Sequence, residues 1–296
     1  MKSRRFGYVR SVTVLEVIQR STDFLTKKGV ESARLNAELL LAHVLKVPRL
    51  KLYLDFQRVL SDAELSASRE LIQRRAGREP LQQIVGSAGF CGLEIMVTPS
   101  VLIPRPETEL LAERGWVFIN ELRRPATVLD FATGSGCIAL AIAANSQNAV
   151  LHASDISISA LEVARSNANR LQLAPRINFH QSDGLQQLPE GLKFDLIISN
   201  PPYIPAAEIE SLAPEVWRFD PRLALDGGID GLDFYRTLAN KGRARLNTGG
   251  KIMLEFGDGQ GSALMAFFAD HGWIGTETLK DYSGRERIFI AERPRD

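Results

Sequence analysis

Four consecutive residues, Asn200-Pro201-Pro202-Tyr203, carry the strongest chemical signal in the chain. The two prolines remove two backbone donors and fix φ, which leaves the carbonyls of Asn200 and Pro201 free to accept hydrogen bonds. The Asn200 side-chain oxygen adds a further acceptor. Together these acceptors match the two hydrogens of a planar NH2 group, and Tyr203 can lie flat against the group that bears it. An amide nitrogen gives its lone pair to its own carbonyl and is a weak nucleophile. Acceptors on both hydrogens would hold its face towards an electrophilic methyl and favour the charge that develops during transfer. No general base is needed beforehand, because the product can shed its proton afterwards.

A second signal lies upstream, in VLDFATGSGCIALAIA. Here Ala132, Thr133, Gly134, Ser135 and Gly136 form a turn directly after a strand and at the start of a helix. Gly134 and Gly136 allow the backbone to approach a ligand, and the helix start offers unpaired N–H groups. Asp155 ends the next strand, HASD, where a Rossmann-like fold places an acid for ribose hydroxyls. It can also cap the helix that starts near Ser157, and the two roles are compatible. Asp183 and Gly184 follow the third strand, where an adenine would lie, or form a simple turn. His43, His152, His180 and His271 are scattered, and no metal site is expected.

These residues need a scaffold, and the pattern supplies one. After Pro125, strands expected at residues 127–131, 150–154, 177–181, 196–199 and 251–256 alternate with helices at 137–144, 158–171 and 232–246. Further strands at 276–280 and 287–291 can close the sheet as an antiparallel edge. Apolar strands such as DLIIS suit a parallel sheet covered on both faces, an α/β architecture. Residues 1–86 differ: they read as a small helical domain, with Leu35, Leu39, Leu40, Val44 and Leu45 as one apolar stripe and Ser61 as an N-cap. Residues 87–106 read as a hairpin or stiff linker, with Leu93, Ile95 and Val97 on one face and prolines at 99, 104 and 106. Residues 107–296 form the Rossmann-like domain, opening with a helix over 107–120.

Bulk composition narrows the classes. The chain has 296 residues, of which 45% are hydrophobic and 24% charged, with a formal net charge of +1. That length and composition fit a globular protein with a large core and a second small domain. No global charge draws it to nucleic acid. Cys91 and Cys137, far apart, form neither a disulfide framework nor a zinc site. No signal peptide or membrane span is visible, so the cytoplasm is the expected compartment.

The order DFATGSG, HASD, ISNPPYI resembles the class I methyltransferases that modify planar amino groups. LIPRPETE before the domain and VWRFDPRLALDGGIDGLDFYR after the tetrapeptide are similar to the release-factor glutamine methyltransferases (PrmC/HemK type). The resemblance covers nearly the whole chain. It implies a class I S-adenosylmethionine-dependent methyltransferase fold with a helical N-terminal substrate-recognition domain. It implies cofactor contacts from residues 132–136, Asp155, Gly184 and Asn200, and glutamine binding by Asn200, Pro201, Pro202 and Tyr203. The implied substrate is the glutamine of a GGQ tripeptide in bacterial-type peptide-chain release factors, methylated on its side-chain nitrogen, N5. Ala132 stands where the usual loop has its first glycine and is expected at negative φ, since a left-handed conformation would cost about 1–2 kcal/mol. Gly184 stands where many relatives carry a large residue, so a contact to adenine would come from elsewhere. Arg105 either shapes the wall near the methyl donor or pairs with Glu107 or Glu109.

Other classes share parts of this pattern. An adenine-N6 methyltransferase has the same tetrapeptide but needs a basic, aromatic element for a flipped base. The near-neutral charge and the acids Glu208, Glu210 and Glu215 disfavour it, so no nucleic-acid substrate is expected. Methylation of a ribosomal-protein glutamine is disfavoured by IPRPETE, and a non-catalytic binding module by the intact tetrapeptide.

Overall fold

The computed structural model describes residues 11–295, and the chain divides into two compact units, Met1–Val85 and Gly86–Asp296. Among the described residues the first holds five helices: α1 (Val14–Lys27), α2 (Ala33–Leu45), α3 (Arg49–Leu54), α4 (Asp62–Ala76) and α5 (Leu81–Val85). Capping boxes start α1 and α4. Thr13 and Ser61 accept from the backbone N–H of Glu16 and Glu64, and each glutamate accepts in return from the cap's own N–H. Ser61 thus takes the cap position expected for it.

The expected stripe on α2 is only partly right. Leu40 is buried, but Leu35 is 38% exposed, and Ala37, Leu41 and Ala42 complete the buried surface instead. The reason is position: α1, α3, α4 and α5 all pack on α2, which therefore buries several sides rather than one face. Even Glu38 is buried there, between Arg34, Arg49 and the hydroxyl of Tyr53.

The second unit begins with an antiparallel hairpin, β1 (Ser87–Phe90) and β2 (Leu93–Met96). Cys91 and Gly92 both have positive φ, as a tight two-residue hairpin turn requires. The segment read as a hairpin or linker packs within this unit: Asn167 pairs with both backbone groups of Met96. Next come α6 (Pro106–Glu121), β3 (Ala126–Phe131), α7 (Cys137–Asn145), β4 (Ala149–Asp155), α8 (Ile158–Arg170), β5 (Ile177–Gln181) and β6 (Phe194–Ser199). After β6 lie a short α9 (Pro214–Trp217), then α10 (Asp233–Arg245), β7 (Leu246–Glu255), α11 (Gly261–Asp270), β8 (Ile274–Lys280) and β9 (Glu286–Glu292). Proline at the first position of α6 suits a helix start, where its missing N–H costs nothing.

Seven strands form one sheet in the order β5-β4-β3-β6-β7-β9-β8. The first five are parallel, and β9 pairs antiparallel with both β7 and β8. Every residue of β6 is buried, as a central strand covered on both faces must be. One face packs against α6, α7 and α8 through Leu111, Ile138, Leu140 and Ala168. The other packs against α10 and α11 through Tyr235, Leu238, Leu264 and Phe268. All seven strands expected from the sequence are present. β7 starts earlier than expected, because Gly249 and Gly250 disguise its beginning as a turn. α11 was not foreseen: it opens on glycine and no side chain caps it. Among the described residues no helix is long and apolar enough to cross a membrane.

Candidate active site

The site lies at the carboxyl ends of β3, β4 and β6, where neighbouring parallel strands hand over to loops. In doubly wound sheets this is where ligands bind. After β3 the chain turns through Ala132–Gly136 into α7. Thr133 donates to the Asp130 carboxylate at 2.6 Å, and the N–H of Ala139 in the first turn of α7 reaches the same oxygen at 3.0 Å. Asp130 therefore ties the loop to the helix start. Burial pushes its carboxyl up to about 7, against the opposing pull of those two donors.

Asp155 ends β4 as expected and spans two loops. One oxygen accepts from the N–H of Gly134 at 2.9 Å and the other from the N–H of Ser157 at 2.9 Å. The cap of α8 is Ser157 itself, which accepts from Ala160. Burial raises the Asp155 pKa, while the surrounding backbone N–H groups lower it.

The expectation for Ala132 is overturned: its φ is +56°, in the left-handed region. The backbone here retains the conformation that a glycine would adopt freely, so the methyl is carried at a cost of about 1–2 kcal/mol. The turn is fixed from both sides, by Phe131 in the sheet and by the N–H of Thr133 on the carbonyl of Ser154 at 2.9 Å. That leaves Ala132 no freedom to relax.

A cavity of about 250 Å3 opens beside this loop. Ala132, Thr133, Gly134, Ser135, Asp155 and Gly184 line it, as do Asn200 and Pro202 from the tetrapeptide. Gly136 does not line it: it caps α7 and lies against Ala164. Ile156 and Phe234 also face the cavity and offer the apolar surface that Gly184 lacks. The buried Ser154 hydroxyl on its wall has no hydrogen-bond partner.

A second cavity, about 200 Å3, lies on the far side of the tetrapeptide and is lined by Pro201, Tyr203, Leu212 and Val216. The two cavities share Leu102, Arg105, Asn200 and Ala224. Asn200 thus stands at their junction. Its side-chain nitrogen donates to the Thr108 hydroxyl at 3.0 Å, and that hydroxyl donates to a Glu255 carboxylate oxygen at 2.7 Å. Held this way, the Asn200 amide turns its oxygen away from Thr108. Burial raises the Tyr203 hydroxyl above the usual phenol range, so it stays neutral.

The stretch after the tetrapeptide cradles it. The Ile204 N–H donates to the Leu225 carbonyl at 3.0 Å, the Gly227 N–H donates to the Ile204 carbonyl at 2.9 Å, and Gln260 donates to the Tyr203 carbonyl at 2.9 Å. A Cβ on Gly227 would come within 2.8 Å of the Tyr203 Cα, and one on Gly231 would overlap the Tyr203 carbonyl oxygen. Gly227 and Gly231 of LDGGIDG leave room for the tetrapeptide backbone, whereas Gly228 leaves room for the Asp233 carboxylate.

Arg105 lines both cavities, but its ion-pair partner is neither Glu107 nor Glu109. It is the buried Asp220, a pairing that sequence spacing does not reveal. Stripping a buried carboxylate of its partner costs about 3–5 kcal/mol, so Arg105 serves folding as well as the cavity wall. Thr108, Glu255, Ile156, Phe234 and Asp220 were not foreseen. Glu255, an acid set between Leu254 and Phe256 in KIMLEF, was the one visible signal. His152 and His180, far apart in sequence, stack on β4 and β5 with ring nitrogens 2.8 Å apart. Among the described residues no group of three or more side chains could hold a metal ion.

A mostly parallel seven-stranded sheet with a glycine-containing turn after β3 and an acid ending β4 defines a class I methyltransferase fold. A crystal structure of a methyltransferase from Pyrococcus furiosus shares the fold, with a TM-score of 0.50 at 19% identity over 69% of this chain and 90% of that one. The family model for the methyltransferase small domain matches residues 114–216, and that for the PrmC N-terminal domain matches residues 16–86. Release factor glutamine methyltransferase of Geobacter sulfurreducens is 42% identical, over 93% of this chain and 95% of its own length. That of Rhodopirellula baltica is 39% identical, over 95% and 96%. The chain belongs to the release factor glutamine methyltransferase family.

Proposed function

We propose that this protein transfers a methyl group from S-adenosylmethionine to the side-chain nitrogen, N5, of the glutamine in the GGQ motif of a peptide-chain release factor. The observation that carries the reading is the position of Asn200, at the junction of one cavity suited to the methyl donor and another suited to an amide. The first cavity fits the cofactor by its chemistry. Asp155 is an acceptor for ribose hydroxyls, Ile156 and Phe234 offer apolar walls for adenine, and Ser154 keeps an unpaired hydroxyl on the wall. Residues 132–135 bring loop backbone to the same cavity, while Gly136 supports them from behind.

The bound cofactor supplies an electrophilic methyl on sulfur. The second cavity takes the glutamine side chain, with Asn200 Oδ1 and the Pro201 carbonyl accepting one NH2 hydrogen each and Tyr203 flanking the amide plane. So oriented, the nitrogen lone pair faces the methyl. The C–N bond forms as the S–C bond breaks, and the nitrogen then releases a proton to solvent. Orientation and acceptor placement carry the rate, because both are in place before the charge develops. Contacts between the folded factor and the rest of the enzyme, the helical unit included, supply positioning energy that a short peptide lacks. The cytoplasm is the compartment proposed, in keeping with two free cysteines.

The test is transfer of labelled methyl from S-adenosylmethionine to purified release factor, followed by mass mapping. Label on the GGQ glutamine is expected. Label on adenine in DNA or RNA, or on a ribosomal protein with release factor ignored, would overturn the reading.

A further inference from the structure

Thr108 lines the first cavity and Glu255 lies behind it in neither cavity; each is only 2% exposed, and they join end to end on Asn200. We propose that they are positioning residues: a one-way hydrogen-bond chain from Glu255 through Thr108 decides which end of the Asn200 amide faces the substrate. The proposal rests on the reading that Asn200 accepts from an NH2 group.

An ionised carboxylate only accepts, and a hydroxyl has one proton to give. At 2.7 Å from Glu255, Thr108 spends that proton on the carboxylate. What remains on Thr108 is a lone pair, so the Asn200 atom 3.0 Å away must be the donor, Nδ2. The oxygen is then forced towards the junction of the cavities, where an acceptor is needed. Protonating Glu255 removes the constraint. Its own O–H can donate to Thr108, whose hydroxyl is then free to donate to Asn200. The amide can turn over and present NH2 to an incoming NH2, donor against donor, and the substrate is rejected.

The surroundings place this change in an accessible pH range. Burial pushes Glu255 up to about 7, opposed by the Thr108 hydrogen bond. Glu107 on α6 raises it further, while Arg287 on β9 and Arg105 before α6 lower it. Tyr203 and Tyr235 lie close by as neutral phenols, and Tyr235 donates to the Glu255 backbone carbonyl at 2.8 Å. The ionised form holds Asn200, so the expected rate is full above this range and falls as pH drops through it.

Two measurements on the full chain test the chain of bonds. The first is single-turnover transfer to release factor from pH 5.5 to 8.5, with cofactor affinity followed by calorimetry. At saturating cofactor, Thr108→Val should slow transfer about tenfold to a hundredfold and lose the acid limb. Thr108→Ser should keep both rate and limb, and Glu255→Gln should flatten the limb. The second measurement needs no substrate: the Asn200 side-chain 15N–H2 resonances should shift with a midpoint near that of the acid limb, and not shift in Glu255→Gln. If Thr108→Val keeps the parent rate and pH profile, or if the resonances do not respond to pH, the inference fails. If the resonances respond as expected but release factor is never methylated, the reading of the substrate fails instead.

Discussion

The loop after β3 and the tetrapeptide after β6 do adjacent jobs on adjacent parallel strands, yet they are held in different ways. The loop is held locally. Asp130, Thr133 and Ala139 fix it within nine residues, and Asp155 reaches it from only 21 residues away. The tetrapeptide is held from a distance. Thr108 lies 92 residues before Asn200, and Glu255 lies 147 residues after Thr108. Gln260 and the glycines at 227 and 231 complete its support. Under the proposed function the loop serves the cofactor and the tetrapeptide orients a weak nucleophile, and acceptors in that second role need a frame fixed from several elements at once.

Substitutions on the two sides should separate accordingly. The largest effect is expected at Asn200. At saturating cofactor, Asn200→Ala should lower single-turnover transfer by on the order of 10²–10³ while the release factor still binds. Transfer close to the parent rate would remove Asn200 from the chemistry. Next comes Gly231→Ala, whose Cβ would overlap the Tyr203 carbonyl from a position at φ +77°. It should displace the tetrapeptide and reduce transfer at least about tenfold, with cofactor binding retained. Full activity would mean that the cradle is not rigid.

On the cofactor side, Asp155→Ala should weaken S-adenosylmethionine about tenfold or more, since a charge-assisted bond is worth about 1.5–3 kcal/mol. Unchanged affinity in a folded variant would remove Asp155 from the site. The smallest effect belongs to Ala132→Gly. Relief of the left-handed strain is offset by the greater freedom of glycine in the unfolded chain, leaving a gain of about 1 kcal/mol or less in denaturant stability. A clear loss of stability would show that the Ala132 methyl contributes packing that outweighs the strain.

The same division explains what could be read from the sequence. Strands and the loop announce themselves through local patterns: an apolar run, a glycine turn, an acid at a strand end. All seven strands of the sheet were legible that way, and so were the places of Asp155 and the tetrapeptide at strand ends. Ala132 was misjudged because side-chain type was taken to set φ, whereas bonds on both sides of the turn set it. Thr108 and Asp220 were not legible, because each acquires its role only when α6 and the segment after the tetrapeptide fold against the ends of the strands. Leu35 failed for a similar reason, since a helix enclosed by four others has no single buried stripe. Gly227 and Gly231 were visible as part of a resemblance, but their reason, the close passage of Tyr203, is visible only in three dimensions.

Asn200 is proposed to join a methyl-donor cavity to an amide cavity. The most direct test is a crystal structure of the protein with S-adenosylhomocysteine and a release factor bound. The account predicts the glutamine side chain in the cavity lined by Pro201, Tyr203 and Val216, with its nitrogen about 3–3.5 Å from where the methyl would sit. Asn200 Oδ1 and the Pro201 carbonyl would each accept from that nitrogen. A glutamine bound elsewhere, or an Asn200 that points its NH2 at the substrate while Thr108 bonds its oxygen, would contradict it.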